Sequence, residues 1–281
     1  MAAEVPLGEL SLFATSLADD LGFVALADLA SALGDVVAEY RVIGGHMMTG
    51  LVARWGLGAE LYRATGDADF GAPPLVLHKI DLVTRLSEAG YDKVAGDRFE
   101  KRLTDIPASI PDDTTELPRN ACIDVLIPAY TSRARQNRKI GDSLVVTEAF
   151  GLADALLRPH ITMTLLMRRL NGDVLQATLS FPDEVSALIL KARVTQVRAK
   201  DTDVVDIWRC LEVCNAAGLR QDSFSSGEPF EAAAIVRGLF AIRDGSGMTA
   251  IVNSQNLSKE GADIRFTRIT ALIERTLGDP P

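Results

Sequence analysis

The sequence predicts a mixed α/β protein, in which a mixed sheet with flanking helices is followed by a helical C-terminal domain. Short apolar stretches with the alternation of strands are interleaved with helical patterns over residues 1–182. The periodicity then becomes mostly helical over residues 183–281. The 281 residues are enough for one large or two modest domains. We therefore expect a domain boundary near Pro182.

The first part of the chain alternates between the two periodicities. Glycine and proline interrupt it at intervals, as expected where turns separate short elements. A strand, helix, strand, helix, strand order is typical of an α/β layer arrangement. The expected elements are helical segments over 10–40 broken near Gly22 and Gly34, a strand at 42–43, a helix over 49–62, a strand at 67–70, a helix over 75–89 and a strand over 121–127.

Three more strands, at 143–149, 161–167 and 174–181, are expected to widen the same sheet. Asn171, Gly172 and Asp173 separate the last two and are well suited to a tight hairpin turn. From Val185 onward, the expected helices cover 185–199, 202–217, 228–240 and 264–277.

The composition excludes several classes of protein. A hydrophobic fraction of 47% and a charged fraction of 24% are ordinary globular values. The 29 basic and 38 acidic residues leave a net charge of −9, which argues against a surface that coats nucleic acid but allows a local basic patch. Three cysteines without CxxC spacing, the absence of a basic signal-peptide start and the short apolar runs predict a cytoplasmic protein without a membrane partner.

Two glycines stand where a predicted strand meets a helix. Gly44 and Gly45 would let backbone N–H groups approach a phosphate at the helix N-terminus. The same pair is also an ordinary structural connection between a strand and a helix. The turn therefore indicates a phosphate site only in combination with motifs further along the chain.

Two acids lie downstream at strand spacing. The alternation puts the carboxylates of Asp67 and Asp69 on one face of a strand, where they would repel each other unless a cation lay between them. A surface turn that happens to be acidic is the alternative. An EF-hand is excluded because Ala72 and His78 stand where that loop needs glycine and glutamate.

A third acid, Asp124, interrupts an otherwise apolar strand, where an unpaired charge is costly. It could instead pair with Arg119 or Arg133 at the strand end. Three carboxylates on adjacent strands are what a two-ion Mg²⁺ (or Mn²⁺) site for phosphoryl or nucleotidyl transfer requires, with the third acid also orienting the attacking hydroxyl.

These features occur in a recognisable order over about residues 40 to 215. They are Gly44-Gly45, then Arg63-x-Thr65-x-Asp67-x-Asp69-Phe70, Asp124 on a strand, Leu190-Lys191-Ala192-Arg193, and Asp203-x-x-Asp206-Ile207-Trp208. This order resembles the AbiEii/AbiGii nucleotidyltransferase toxin family, which includes the mycobacterial MenT-type toxins, within the DNA polymerase beta-like nucleotidyltransferase superfamily.

The resemblance implies a nucleotidyltransferase-type fold and a cytosolic toxin of a toxin–antitoxin or phage-defence pair, with a cognate antitoxin as partner. It implies transfer of a nucleoside monophosphate from an NTP to the 3′ end of tRNA or another RNA, with Mg²⁺. Asp67 and Asp69 would be metal ligands, and Thr65 would place a hydroxyl near the phosphates.

The resemblance also assigns roles in the second half of the chain. Lys191 would contact the triphosphate across a cleft, and Asp203 and Asp206 would support the nucleotide site. As bare sequence, Lys191 could be a solvated helix lysine, and the two acids could mark a helix N-terminus. His46 departs from the family pattern, because a serine or threonine commonly stands directly after the glycines; backbone N–H groups and Thr49 would then hold the phosphates.

A basic segment comes after Asp124 and concentrates four cations in an acidic chain: Arg133, Arg135, Arg138 and Lys139. These side chains could contact RNA or the triphosphate, or they could lie in a solvated loop. Three hypotheses of function stay open: a nucleotidyltransferase, a DxD-type transferase acting on a sugar or another small molecule, and an interaction protein that keeps the fold without turnover.

Overall fold

A computed structural model describes residues 9–34, 36–106, 119–131, 134–140, 144–198 and 200–278. These residues form a mixed α/β fold. The strands are β1 (Leu10–Phe13), β2 (Arg41–Val42), β3 (Asp67–Gly71), β4 (Asp92–Ala95), β5 (Arg98–Arg102), β6 (Asn120–Pro128), β7 (Arg138–Ile140), β8 (Leu144–Ala149), β9 (His160–Arg168) and β10 (Val174–Pro182).

Ten α-helices lie in the described part of the chain. They are α1 (Leu17–Leu33), α2 (Gly44–Arg54), α3 (Pro74–Lys79), α4 (Leu82–Glu88), α5 (Leu152–Leu157), α6 (Glu184–Thr195), α7 (Asp201–Ala216), α8 (Gly227–Leu239), α9 (Ser246–Gln255) and α10 (Lys259–Leu277). Within the described ranges, every helix is too short or too polar to cross a bilayer.

The larger sheet is mixed and carries the predicted acids. Its strands run in the order β2-β3-β6-β5-β4, and β8 extends it by pairing with β6 and β7. Strand β3 is parallel to β6, whereas β5 is antiparallel to β6. The register places Asp69 opposite Asp124 across the β3–β6 pair, and Arg98 opposite Asp124 across the β5–β6 pair.

The prediction that β9 and β10 widen this sheet was wrong. They form a separate three-stranded sheet with β1, in the order β1-β9-β10. The alternation of apolar residues predicted both strands correctly but carries no information on which strand pairs with which. The predicted hairpin is present, with Gly172 at a φ of 94° in the loop between them.

The N-terminal prediction needs two corrections. Leu10–Phe13 is a strand and not part of a helix. Gly22 does not break α1 but lies inside it. A Cβ there would collide with the ring of His46 and the carbonyl oxygen of Thr65. Glycine is therefore used at this position for close packing.

Two helix predictions also change. The helix expected over 49–62 begins earlier, at Gly44, and ends at Arg54. The helix expected over 75–89 is two helices, because Asp81 takes a φ of 48° between α3 and α4. The hairpin of β4 and β5, strand β7, and helices α5 and α9 were not predicted. Residues after Asp183 are helical as expected, but one hydrophobic core runs from Leu12 to Leu277, so the boundary near Pro182 stays a prediction.

Candidate functional site

A cavity of about 320 Å³ lies between the larger sheet and helices α6 and α7. Its wall is partly apolar, with Leu126 from β6 and Leu190 from α6 among the lining residues. Its charged lining residues come from four different elements or their flanks: Asp69, Glu148, Lys191, Arg198 and Asp203. A concave site with few, convergent polar groups is typical of small-molecule binding.

The three predicted carboxylates lie together on the larger sheet, and we call Asp67, Asp69 and Asp124 the acidic cluster. Asp67 and Asp69 share one face of β3, while Phe70 is buried on the opposite face. Strand pairing then brings Asp124 beside Asp69. The cluster therefore depends on the parallel register of β3 and β6, because the two strands are distant in sequence.

Arg98 on β5 bridges two members of the acidic cluster. Its Nε and Nη2 atoms lie 2.9 and 2.8 Å from the two carboxylate oxygens of Asp124. The same Nη2 atom lies 3.0 Å from Oδ2 of Asp67. The hydrogen bonds that Arg98 donates to Asp124 are the main cause of the raised pKa of Arg98. Arg98 is therefore a fixed positive charge between two acids.

Asp69 is the member of the cluster that faces the cavity. Among the described residues, its carboxylate has neither a hydrogen bond nor an ion pair. Burial, followed by the charge of Asp124, raises its pKa to about 7, although Lys191 acts in the opposite direction. A carboxyl group that ionises near neutral pH and opens into a cavity is a common feature of functional sites.

The Gly44-Gly45 turn packs directly against the acidic strand. Gly44 has a φ of 69°, and a Cβ at this position would collide with the Asp69 carboxylate. A Cβ at Gly45 would collide with the Thr65 side chain. Both glycines are therefore required by close approach, and the turn starts α2 beside the cavity.

The contacts of the two side chains that follow the glycines, His46 and Thr49, do not favour a role in phosphate binding. Thr49 donates its hydroxyl hydrogen bond to the Gly45 carbonyl oxygen at 3.3 Å and is buried. His46 is 3% exposed, and neither ring nitrogen has a hydrogen-bond partner within the described ranges. Burial lowers the pKa of His46 to about 4, so the ring is neutral. This geometry does not favour Thr49 as a phosphate ligand, contrary to the expectation from the sequence.

A second charged group surrounds Asp206 on α7, and we call its cations Arg63, Lys191 and Arg209 the cationic cluster; of the three, Lys191 lines the cavity. All three side chains contact the buried carboxylate of Asp206, with Lys191 Nζ at 2.7 Å, Arg209 Nη1 at 2.8 Å and Arg63 Nη2 at 3.0 Å. Burial opposes ionisation of Asp206, but the three cations hold its pKa below the usual value. Lys191 is buried in the cavity wall and is not a solvated helix lysine.

Asp203 has a separate partner. It pairs with Arg198, whose Nε lies 2.9 Å from Oδ2 of Asp203, and both residues line the cavity. Asp203 also lies in the first turn of α7, where an acid is favourable. The two acids on α7 therefore have different partners and different surroundings.

The basic segment folds back along β8. The backbone N–H of Arg135 donates to Glu148, and the guanidinium of Arg138 pairs with the same carboxylate. The side chains of Arg135, Arg138 and Lys139 are exposed, and Arg133 lies outside the described residues. Glu148 thus neutralises part of this segment.

Sequence reasoning missed Arg98, Arg209 and Glu148. A signal for Arg98 was present, because Gly96-Asp97 is a turn pair and buried Phe99 alternates with charged residues after it. For Arg209 the signal was its position three residues after Asp206 on one helix, where the two side chains can pair. No comparable signal marked Glu148, because its partners come from the segment before β8.

The chemistry of the acidic cluster fits a hard cation, because carboxylate oxygens are the ligands that Mg²⁺ prefers. The guanidinium of Arg98 already supplies positive charge to these oxygens. Among the described residues, no group of three or more histidine, cysteine, aspartate or glutamate side chains is arranged to hold a metal ion. A divalent ion at Asp67 and Asp124 would have to take the place of Arg98.

Comparisons with known proteins do not identify the chain. No protein-family model matches it, and neither a curated protein nor a solved structure is significantly similar to it.

Proposed function

We propose that the chain is an NTP-dependent nucleotidyltransferase of the toxin family that its motifs resemble. One observation carries the proposal: the carboxylate of Asp69 and the cations Lys191 and Arg198 line one cavity beside the glycine turn of α2. Such an arrangement is suited to a nucleoside triphosphate accompanied by a divalent ion. The proposed fold is that of the nucleotidyltransferase superfamily, with the helices after Asp183 as its C-terminal domain.

The roles of the residues follow from their charges. Lys191 and Arg198 would bind the triphosphate, because both border the cavity and carry charges that phosphate oxygens accept. Leu126 and Leu190 would exclude water from the phosphates and present an apolar wall to the base or ribose. Mg²⁺ held by Asp67, Asp69 and Asp124 would stabilise the charge that develops on the attacking and leaving oxygens.

In the proposed reaction, an acceptor hydroxyl oxygen forms a bond to the α-phosphorus of the NTP. The bond between that phosphorus and the bridging oxygen of pyrophosphate breaks, and pyrophosphate leaves. The hydroxyl proton passes to a carboxylate oxygen of the acidic cluster. We propose the 3′ end of tRNA, or another RNA, as the acceptor, and a cognate antitoxin as the partner of a cytoplasmic toxin.

Transfer of label from each of the four α-labelled NTPs into a total RNA pool with Mg²⁺ tests this function. We expect incorporation by the wild-type chain, loss of incorporation in Asp69→Asn, and wild-type incorporation in Asp92→Asn, an exposed acid of the same sheet. Equal incorporation by Asp69→Asn would reveal a contaminating transferase. Failure of the wild-type chain to label RNA or a small hydroxyl acceptor would contradict the proposal and favour an interaction protein.

A further inference from the structure

A second cavity, of about 370 Å³, lies beside α1, and we call it the α1 cavity. It is bordered by α1, by the end of β5 with the residues that follow it, and by the hairpin that joins β9 and β10. Among the described residues, it has no lining residue in common with the cavity that contains Asp69. We infer that the α1 cavity binds a small organic carboxylate, which Arg169 holds in the place that the Asp105 side chain occupies. The inference does not depend on the proposed function.

Arg169 is fixed in the wall of the α1 cavity as a receptor for a carboxylate. Its side chain is 5% exposed, and its inner edge contacts the fully buried Asp20, with Nε at 3.3 Å from Oδ1 and Nη2 at 2.8 Å from Oδ2. The backbone N–H of Leu170 donates to the same carboxylate at 2.9 Å. A guanidinium held in this way presents its second edge in a set orientation, which lowers the entropic cost of binding a planar carboxylate.

Asp105 occupies this outer edge. Its carboxylate contacts both Nη1 and Nη2 of Arg169, the latter at 3.2 Å. These hydrogen bonds lower the pKa of Asp105, so its side chain is ionised at neutral pH. Asp105 lies outside the regular elements and its side chain is 52% exposed, so water and salt weaken its contact with Arg169. An exposed acid on a buried, fixed guanidinium therefore marks where a carboxylate from solution would bind.

The rest of the lining suits an organic anion better than an inorganic one. Lys101 and Arg102 add positive charge; Lys101 pairs with Asp28 at 2.8 Å, whereas the exposed Arg102 has no ion pair among the described residues. Apolar side chains from all three bordering segments complete the wall: Val24, Ala27, Leu103 and Leu175. A carboxylate with a compact apolar body therefore matches both parts of the lining.

This role differs from that of a structural ion pair. If Asp105 only ties its segment to the hairpin, its loss would loosen the wall of the cavity, and carboxylate binding would not improve. If Asp105 stands in the place of a ligand, its loss would free the outer edge of Arg169 and tighten binding. The two roles therefore predict different results for one measurement.

The measurement is a titration of the full chain with benzoate, followed by saturation-transfer NMR at constant ionic strength. We expect Asp105→Asn to bind benzoate about fivefold more tightly than the wild type, which is the size of one exposed ion pair. The matched control is Asp92→Asn, which removes an exposed acid of β4 outside the cavity; its affinity should stay within about twofold of the wild type, because salt screens a remote charge. Unchanged or weaker binding by folded Asp105→Asn overturns the inference.

Ala27→Leu locates the binding and keeps the test decisive if Asp105→Asn does not fold. The larger side chain would extend from α1 into the cavity, so benzoate binding should be lost. Affinity equal to that of the wild type would place benzoate elsewhere and overturn the inference. Inorganic phosphate should bind more weakly than benzoate, because it cannot use the apolar wall. Binding of phosphate without benzoate would overturn the assignment to an organic carboxylate.

Discussion

The acidic and cationic clusters are built with opposite proportions of charge. On the sheet, three carboxylates share one guanidinium, and one of them, Asp69, has no partner among the described residues. On the helical side, three cations share the single carboxylate of Asp206. Each cluster alone is poorly compensated, and one member of each, Asp69 and Lys191, lines the same cavity.

The clusters also differ in burial. The side chains of Asp67 and Asp124 are 47% and 20% exposed, whereas those of Lys191, Arg209 and Asp206 are nearly inaccessible. Exposed pairs contribute little to folding, while breaking a buried pair leaves an uncompensated charge. The ion pairs of the acidic cluster therefore contribute less to folding, whereas Lys191, Arg209 and Asp206 of the other group are part of the folded core.

The largest effect on stability should follow from removal of the shared carboxylate. Asp206→Asn leaves three cations without their partner, two of them buried, and should reduce the free energy of unfolding by about 3–5 kcal/mol. The control is Asp203→Asn, whose partner Arg198 is half-exposed and whose loss should cost about 1 kcal/mol or less. Urea unfolding compares the two, and equal costs would remove the distinction between the clusters.

His46 gives a second test, because it is buried directly after the Gly44-Gly45 turn that packs against Asp69. Its pKa is lowered to about 4, mainly by burial, so the unfolded chain binds the proton more readily. Stability is fully present above the unfolded value of about 6.5 and is lost as pH falls toward 4, by about 3 kcal/mol in total. In His46→Leu this part of the pH dependence should vanish.

The difference in unfolding free energy between wild type and His46→Leu, measured at pH 7 and pH 4, isolates this contribution because other groups titrate in both proteins. If this difference in unfolding free energy is the same at pH 7 and pH 4, the protonated ring must be stabilised by a partner in the folded protein. His46 would then be a charged element of the site.

Substitution of Lys191 tests its proposed contact with the triphosphate. Lys191→Met should weaken NTP binding by about tenfold to a hundredfold, since one charge-assisted hydrogen bond contributes about 1.5–3 kcal/mol. Its fold should persist because Arg63 and Arg209 still contact Asp206. Lys200→Met is the control, as this lysine is exposed before α7. Unchanged affinity by calorimetry would end the assignment of Lys191 to the triphosphate.

The members of the acidic cluster could be predicted from the sequence because their signals are local. Asp67 and Asp69 alternate within one short strand, and Asp124 is a lone charge in an apolar strand. What could not be predicted is the partner. The alternative interpretation of Asp124 as one half of an ion pair named arginines close in sequence, whereas strand pairing supplies Arg98, which is 26 residues away.

The same limit explains the errors in the fold. Alternation identifies β9 and β10 as strands, but the choice between joining β6 and joining β1 depends on tertiary packing. In the sequence, Gly22 resembles a helix break. In the structure it lies inside α1, because the ring of His46 leaves no space for a Cβ there. Local patterns predicted elements and acids, while long-range contacts determined sheets and charge partners.

The smallest effect concerns the basic segment, which would extend the positive surplus beyond the cavity toward an RNA acceptor. Arg138 is already paired with Glu148, whereas the side chains of Arg135 and Lys139 are exposed. Arg135→Gln with Lys139→Gln should therefore lower the salt dependence of RNA binding by up to about two phosphate contacts, each about 0.7 of a log unit for a single strand. Arg138→Gln alone should change that slope less, and neither variant should alter NTP affinity.

Titrations of RNA and NTP at several salt concentrations separate the outcomes. Loss of NTP affinity with an unchanged RNA slope would assign the segment to the triphosphate. If neither NTP affinity nor the salt dependence of RNA binding changes, the basic segment is a solvated loop, and the acceptor would have to bind elsewhere. The net charge of −9 opposes long-range attraction of any polyanion, so a local slope change would have to come from direct contact with these side chains.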